Sequence, residues 1–101
     1  MINSLPARIK TQMKSYPAFY QKVWMACHSI PSGTTRTYQW IAKEIGHPKA
    51  ARAVGMALKV NPFAPAIPCH RVIRSDGKMG GYSGRGGINR KLKMLQEEGA
   101  F

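Results

Sequence analysis

Apolar residues recur at near-helical spacing from Phe19 through Val23 and Cys27 to Ile30, with Trp24 beside them. This predicts a helix that opens after Pro17 and is stopped by Ile30-Pro31-Ser32-Gly33. The β-branched stretch 34–36 reads as extended. Thr37 is a natural N-cap for a second helix over 38–45, and Gly46 fits the C′ position that ends it. Pro48 suits the first turn of a third helix over 49–60. Asn61-Pro62 breaks that helix, and an apolar connector over 63–67 leads to Pro68-Cys69-His70-Arg71-Val72-Ile73. Val72 and Ile73 predict a short, buried, extended segment. Ser75-Asp76-Gly77-Lys78 is a turn signal, and a glycine-rich loop fills 80–87. Asn89 is the predicted cap of a last helix that turns Leu92 and Leu95 inward and ends at Gly99. Residues 1–18 read as a weakly structured basic lead, and 19–101 as the functional domain.

Two helices joined by a tight turn at Gly46-His47-Pro48 have helix-turn-helix spacing, and the second helix of such a pair is the natural reader of DNA. Here that helix carries Ala50, Ala51, Ala53, Gly55 and Ala57, which have almost no bulk. A slim helix face permits close approach, either to a neighbouring helix or to a narrow groove. The fold class is therefore mostly α with a short extended segment: a winged-helix-like, helix-turn-helix domain.

Charge narrows the partners. The chain has 101 residues, 16 Lys+Arg against 4 Asp+Glu, and a net charge of +12. A small domain this basic is built to meet a polyanion, with nucleic acid ahead of an anionic membrane surface. No apolar run approaches the ~18 residues of a membrane span, and the first residues lack the pattern of a signal peptide. An intracellular, cytoplasmic location is expected, nuclear in a eukaryote, with no membrane partner. Cys27 and Cys69 are too few for a disulfide scaffold and lack zinc-ligand spacing, so neither a metal nor a cofactor is expected.

Chemistry concentrates at Cys69. Cys27 falls on the apolar face of the first helix and reads as a small hydrophobe. Cys69 follows Pro68 in a break between elements, next to His70 and near Arg71 and Arg74, surroundings that favour thiolate. His70 is placed to take the thiol proton, a role that usually needs a carboxylate to orient the ring. The acidic residues are Glu44, Asp76, Glu97 and Glu98. Glu97 and Glu98 end the last helix, a poor place for negative charge against the helix dipole, although spacing alone favours an ordinary solvated pair there.

Pro68-Cys69-His70-Arg71-Val72, with Asn61-Pro62 upstream and Gly81-Tyr82-Ser83-Gly84 downstream, resembles the O6-alkylguanine-DNA alkyltransferases. The match runs from about Phe19 to Gly99 and corresponds to the family's C-terminal DNA-binding and active-site domain. Many members carry a further domain ahead of it, where residues 1–18 stand here. The resemblance implies stoichiometric transfer of the O6-alkyl group of a flipped-out guanine to Cys69. It makes His70 the base, acting through a bound water, and Glu98 the carboxylate that orients it. Tyr38 becomes the donor to guanine N3, and Asn61 the brace between the reading helix and the active-site segment. Arg52 becomes the finger that fills the gap left by the base. Lys49, Ala51, Gly55, Met56 and Arg71 become DNA contacts; Tyr82, Ser83 and Val72 line the pocket. The reading helix enters the minor groove of double-stranded DNA, which accounts for its small residues. The protein is expected to act as a monomer.

A related group of alkyltransferase-like sensors binds the same lesion and recruits excision repair without transfer. Those proteins have Trp or Ala at the acceptor position, where this chain has Cys69. A plain transcription factor would account for the charge and the helix pair, but not for Pro68-Cys69-His70 beside a glycine-rich loop.

Overall fold

The structure is a computed structural model that describes residues 5–64, 66–74 and 87–100. Among them run α1 (Ala7–Met13), α2 (Ala18–His28), β1 (Arg36–Thr37), α3 (Tyr38–Glu44), α4 (Ala51–Lys59), a 3-10 turn (Cys69–Arg71), β2 (Val72–Ile73) and α5 (Gly87–Glu97). The architecture is mostly helical with one short strand pair, as the apolar pattern predicts.

α2 is the hub. Its Val23, Trp24 and Cys27 are buried, and the Trp24 indole N–H donates to the Ala57 carbonyl of α4 at 2.9 Å. Tyr16, Tyr20 and Phe63 meet the Trp24 ring edge-on, with centroids 5.0, 5.7 and 5.5 Å away. One residue thus gathers the loop before α2, α2 itself, α4 and the segment after α4. Edge-to-face packing adds to the large apolar area such a ring buries.

The helix-turn-helix is set by local chemistry. The Thr37 hydroxyl accepts from Trp40 N–H at 3.0 Å and caps α3. At the other end, His47 N–H reaches the Ala42 carbonyl at 2.9 Å and Gly46 N–H reaches Lys43 at 3.1 Å. This is a Schellman pair, and Gly46 supplies the φ of +82° it requires. The Gln39 amide donates to the Pro48 carbonyl at 2.6 Å across the turn. α4 starts at Ala51, later than the predicted 49, because residues 47–50 form a turn of their own, with Ala50 N–H on His47 O at 2.9 Å. Val54, Ala57 and Leu58 pack inward, leaving Arg52, Ala53 and Met56 exposed.

β1 and β2 pair in parallel, Arg36 opposite Val72 and Thr37 opposite Ile73. The pair ties the residue before α3 to the residues after the 3-10 turn, and so fixes the Cys69 segment against the helix pair.

Two expectations fail. Within the predicted weakly structured lead, residues 7–13 form α1, and Leu5, Ile9 and Met13 join the core. Their i, i+4, i+8 spacing buries one stripe while Arg8, Lys10 and Lys14 stay outside. At the other end, α5 begins at Gly87, not at an Asn89 cap. Its inward positions are Lys91 and Leu95, and Leu92 is 37% exposed. Lys91 stands one turn before Leu95 on the same face, and Leu92 lies about 100° round the helix from Lys91, at the edge of that face. Among the described residues, no helix is long and apolar enough to cross a membrane.

Candidate functional site

The site is built from a chain of tight turns after α4. Asn61 is buried; its side-chain oxygen accepts from Phe63 N–H at 2.9 Å and its amide donates to the Ile67 carbonyl at 3.0 Å. The first bond is an Asx turn around Pro62, and the second spans the connector. Pro68, at φ −81° and ψ 65°, forms an inverse γ-turn in which Cys69 N–H returns to Ile67 O at 2.8 Å. Arg71 N–H then closes on Pro68 O at 2.9 Å, giving the 3-10 turn that carries Cys69, His70 and Arg71.

His70 and Arg71 converge on Glu98, the residue following α5. His70 Nε2 lies 2.9 Å from Glu98 Oε2. Arg71 Nε donates to Oε1 at 2.9 Å, and its Nη2 to Oε2 at 2.7 Å, in a two-pronged clamp. Its Nη1 donates to the Ile30 carbonyl at 2.8 Å, anchoring the cluster to the end of α2. Glu98 stands at a helix C-terminus, where the dipole disfavours an anion. The Arg71 hydrogen bonds, followed by those of His70, outweigh this and hold the carboxyl at about 2. Burial lowers the His70 pKa against the opposing pull of Glu98, so the imidazole is neutral near pH 7. A neutral ring that donates from Nε2 to an ionised carboxylate keeps Nδ1 as its proton acceptor.

Cys69 is 4% exposed, so burial does not separate it from Cys27. What separates them is company. Cys27 sits in the α2 core, and burial pushes its thiol well up. Cys69 sits in the turn with His70 and Arg71. Tyr38, the first residue of α3, is half-buried; burial and then the Cys69 thiol raise its hydroxyl pKa. A protonated phenol thus stands in the electrostatic reach of the thiol. A Cβ on Gly55 of α4 would lie 4.0 Å from the Tyr38 ring, so the slim helix face and this ring adjoin.

The structure brings Cys69, His70, Glu98 and Asn61 into one hydrogen-bonded framework, with Tyr38 beside it and Val72 buried in β2. Arg52 and Met56 lie on the exposed face of α4, Met56 at 52% exposure, and Lys49 is exposed on the preceding turn. Ala51 and Gly55 are half-buried on the same helix. Arg71, expected as a DNA contact, instead turns its guanidinium inward onto Glu98 and Ile30. Tyr82 and Ser83, like the rest of the glycine-rich loop before Gly87, lie outside the described residues.

One neighbour escaped sequence reasoning. Lys91 of α5 is fully buried, and its ammonium donates to the Val72 carbonyl at 2.7 Å. Burial lowers its pKa to about 8, and the fields of Cys69 and Cys27 oppose that fall. Its i, i+4 relation to Leu95 was the available signal. Among the described residues, no group of three or more His, Cys, Asp or Glu is placed to hold a metal ion.

Residues 18–100 match the family model described as 6-O-methylguanine DNA methyltransferase, DNA binding domain. A methylated-DNA–protein-cysteine methyltransferase of Mycobacterium leprae is 52% identical over 80 residues, covering 79% of this chain and 47% of that protein. The chain thus spans about half the length of the curated relatives of this kind that it matches. The crystal structure of Mycobacterium tuberculosis OGT in complex with DNA superposes with a TM-score of 0.78 at 53% identity, covering 82% of this chain and 49% of that one. S. pombe Atl1, solved with damaged DNA containing O6-carboxymethylguanine, superposes at 0.68 with 39% identity, covering 80% of this chain and 75% of that one.

Proposed function

The chain belongs to the 6-O-methylguanine DNA methyltransferase family, and on that premise we propose that it repairs O6-alkylguanine in double-stranded DNA by moving the alkyl group irreversibly onto Cys69. The observation that carries this reading is the Glu98–His70 contact at 2.9 Å, with the nucleophile on the adjoining residue of the same 3-10 turn. A sensor that only binds the lesion has no use for a polarised imidazole beside a thiol.

Guanine O6 is inaccessible in a stacked duplex, so the nucleotide must swing out first. The small-residue face of α4 suits close approach to the minor groove. Exposed Arg52 fills the vacated stack, and Lys49, Ala51, Gly55 and Met56 lie along the contact. The Cys69 proton passes through a bound water to Nδ1 of His70, and Glu98 stabilises the imidazolium that forms. The thiolate attacks the alkyl carbon in line. The S–C bond forms as the C–O6 bond breaks, and the electron pair leaves on guanine. Tyr38 donates its proton to N3 of the departing base, and Tyr82 and Ser83 complete the pocket. The product is a thioether, so each molecule acts once. Such a protein works inside the cell on DNA, as a monomer.

The test is intact-protein mass after mixing with a duplex bearing one O6-methylguanine, with Cys69→Ala alongside. Gain of one methyl group by the native chain alone is the expected result. No gain, with lesion-selective binding retained, replaces transfer by the sensor reading, which the likeness to S. pombe Atl1 supports.

A further inference from the structure

Part of the positive charge lies outside the helix-turn-helix. The first acidic residue is Glu44, and Arg8, Lys10, Lys14, Lys22, Arg36 and Lys43 all precede it. Lys10 and Lys14 are exposed on α1 and its C-cap, and Lys22 is exposed on α2. Lys10 and Lys14 stand four apart on one helix face, a spacing at which like charges destabilise a helix. α1 holds no acid to relieve them; burial of Leu5, Ile9 and Met13 keeps it in place. A surface that only keeps a protein soluble mixes both signs, whereas one sign alone complements a polyanion.

The packing carries this charge to the helix pair. Phe19, in the first turn of α2, meets the His47 ring edge-on with centroids 5.8 Å apart. His47 stands in the turn between α3 and α4, two residues before exposed Lys49. Lys22 follows Phe19 by three positions, so the two share one side of α2. Lys14 precedes Pro17, the N-cap of α2, by three residues, which keeps its Cα within about 11 Å of that cap. The link is pinned: the Gln21 amide donates to the Tyr16 carbonyl at 2.8 Å, and the Tyr16 ring packs on Trp24.

We propose that Lys22 and Lys14 form a second phosphate-binding edge, continuous with Lys49 across the Phe19–His47 contact, that holds the backbone of the same DNA duplex beside the helix-turn-helix. This rests on the helix pair docking DNA and adds a surface the pair does not supply; α1 stands ahead of the residues that match the family model. The other charged residues flanking the turn are Lys43 and Glu44, both exposed at the end of α3. They offset one another, so Lys14, Lys22 and Lys49 set the sign of the edge. Exposed ammonium groups on flexible stems suit a phosphate track, because a point charge needs no paired geometry. Such contacts carry no sequence information. The lysine edge therefore holds any duplex, damaged or not, while α4 works where the base leaves the stack.

The test is the salt dependence of binding to an undamaged duplex, read by fluorescence anisotropy on the whole chain. Lys14→Gln and Lys22→Gln are compared with the native protein and with Lys93→Gln, the same charge change on the exposed face of α5. Each of the first two is expected to lower the slope of log K against log salt by about 0.9, the value of one lost phosphate contact. Lys93→Gln should keep the native slope. A duplex bearing O6-methylguanine should lose affinity by the same factor as the undamaged one. Hydroxyl-radical footprinting of the double variant should lose protection on one flank and keep the centre. Both lysines are exposed, so the variants should melt with the native chain. Unmoved slopes, or a fall that Lys93→Gln matches, overturn the proposal. Weaker binding to phosphatidylglycerol vesicles with an unmoved DNA slope overturns it as well. Methyl uptake by the native chain with unmoved slopes defeats this inference alone. Lowered slopes without methyl uptake defeat the acceptor reading and leave the lysine edge standing.

Discussion

Asn61 and Cys69 meet at a single oxygen: the Ile67 carbonyl accepts the Asn61 side-chain amide at 3.0 Å and the Cys69 backbone N–H at 2.8 Å. The side chain that ends α4 thus fixes the peptide that orients the nucleophile. Asn61→Ala removes two buried hydrogen bonds and leaves Phe63 N–H without its acceptor. A loss of about 2–4 kcal/mol in denaturant unfolding is expected. The rate of methyl uptake by Cys69 should fall further than global unfolding explains; an unchanged rate in the folded variant would show that the brace does not position the thiol.

Glu98 makes stability depend on acidity in a defined window. Its carboxyl is held at about 2 against an ordinary 4.5. A depressed carboxyl contributes stability that is complete above its unfolded value and lost as pH falls through the folded one. The contribution of Glu98 should therefore fade between about 4.5 and about 2. In thermal melts, Glu98→Gln should lose stability at neutral pH, and the gap to the native chain should close across that window. Methyl transfer should drop by about 10²-fold, the usual scale for a disabled acid–base partner.

Arg71 separates a clamp from a DNA contact. Lysine cannot reproduce two parallel N–H bonds to one carboxylate. Arg71→Lys is expected to slow methyl transfer while leaving the salt dependence of DNA binding unchanged. Lys49→Ala should do the reverse, lowering the slope of log K against log salt by about 0.9 for one lost phosphate contact. A slope that changes with Arg71→Lys would return Arg71 to the interface.

Gly33 adopts φ +88° beside the Glu98 backbone, and a Cβ there would come within 3.1 Å of the Glu98 backbone oxygen. Gly33→Ala meets both a disfavoured left-handed backbone and that oxygen. A cost of about 1–2 kcal/mol is expected from the backbone alone, read as a lowered melting temperature. Displacement of Glu98 should lower the rate of methyl transfer as well. A neutral substitution would mean that the loop does not press on the helix end.

Local chemistry was the legible part. Thr37 and Gly46 mark the ends of α3 because a cap and a left-handed turn are decided by a few neighbouring residues. Pro68-Cys69-His70 was readable as chemistry because its residue types have few other uses side by side. Register was not legible. On α5 the residue buried beside Leu95 is Lys91 and not Leu92, and hydrophobicity argues for the wrong one. α1 was hidden because Leu5, Ile9 and Met13 carry the pattern, but Arg8 and Lys10 between them, with Lys14 after, read as a solvated lead. The inward turn of Arg71 depends on Ile30 and Glu98, distant in sequence, so no local signal marks it.

The strand pair joins positions 36 and 72, and between them lie α3, its turn and α4. Contacts within the helix pair are local and form early, whereas closing a long loop on two residues of parallel strand costs entropy before it returns anything. Pulse-labelled hydrogen exchange should accordingly protect the amides of α3 and α4 before those of Val72 and Ile73. A newly made chain would then possess its helix pair before the turn that carries Cys69 is fixed against it. Until that strand pair closes, nothing holds the Cys69 turn against the end of α2 and the residue after α5.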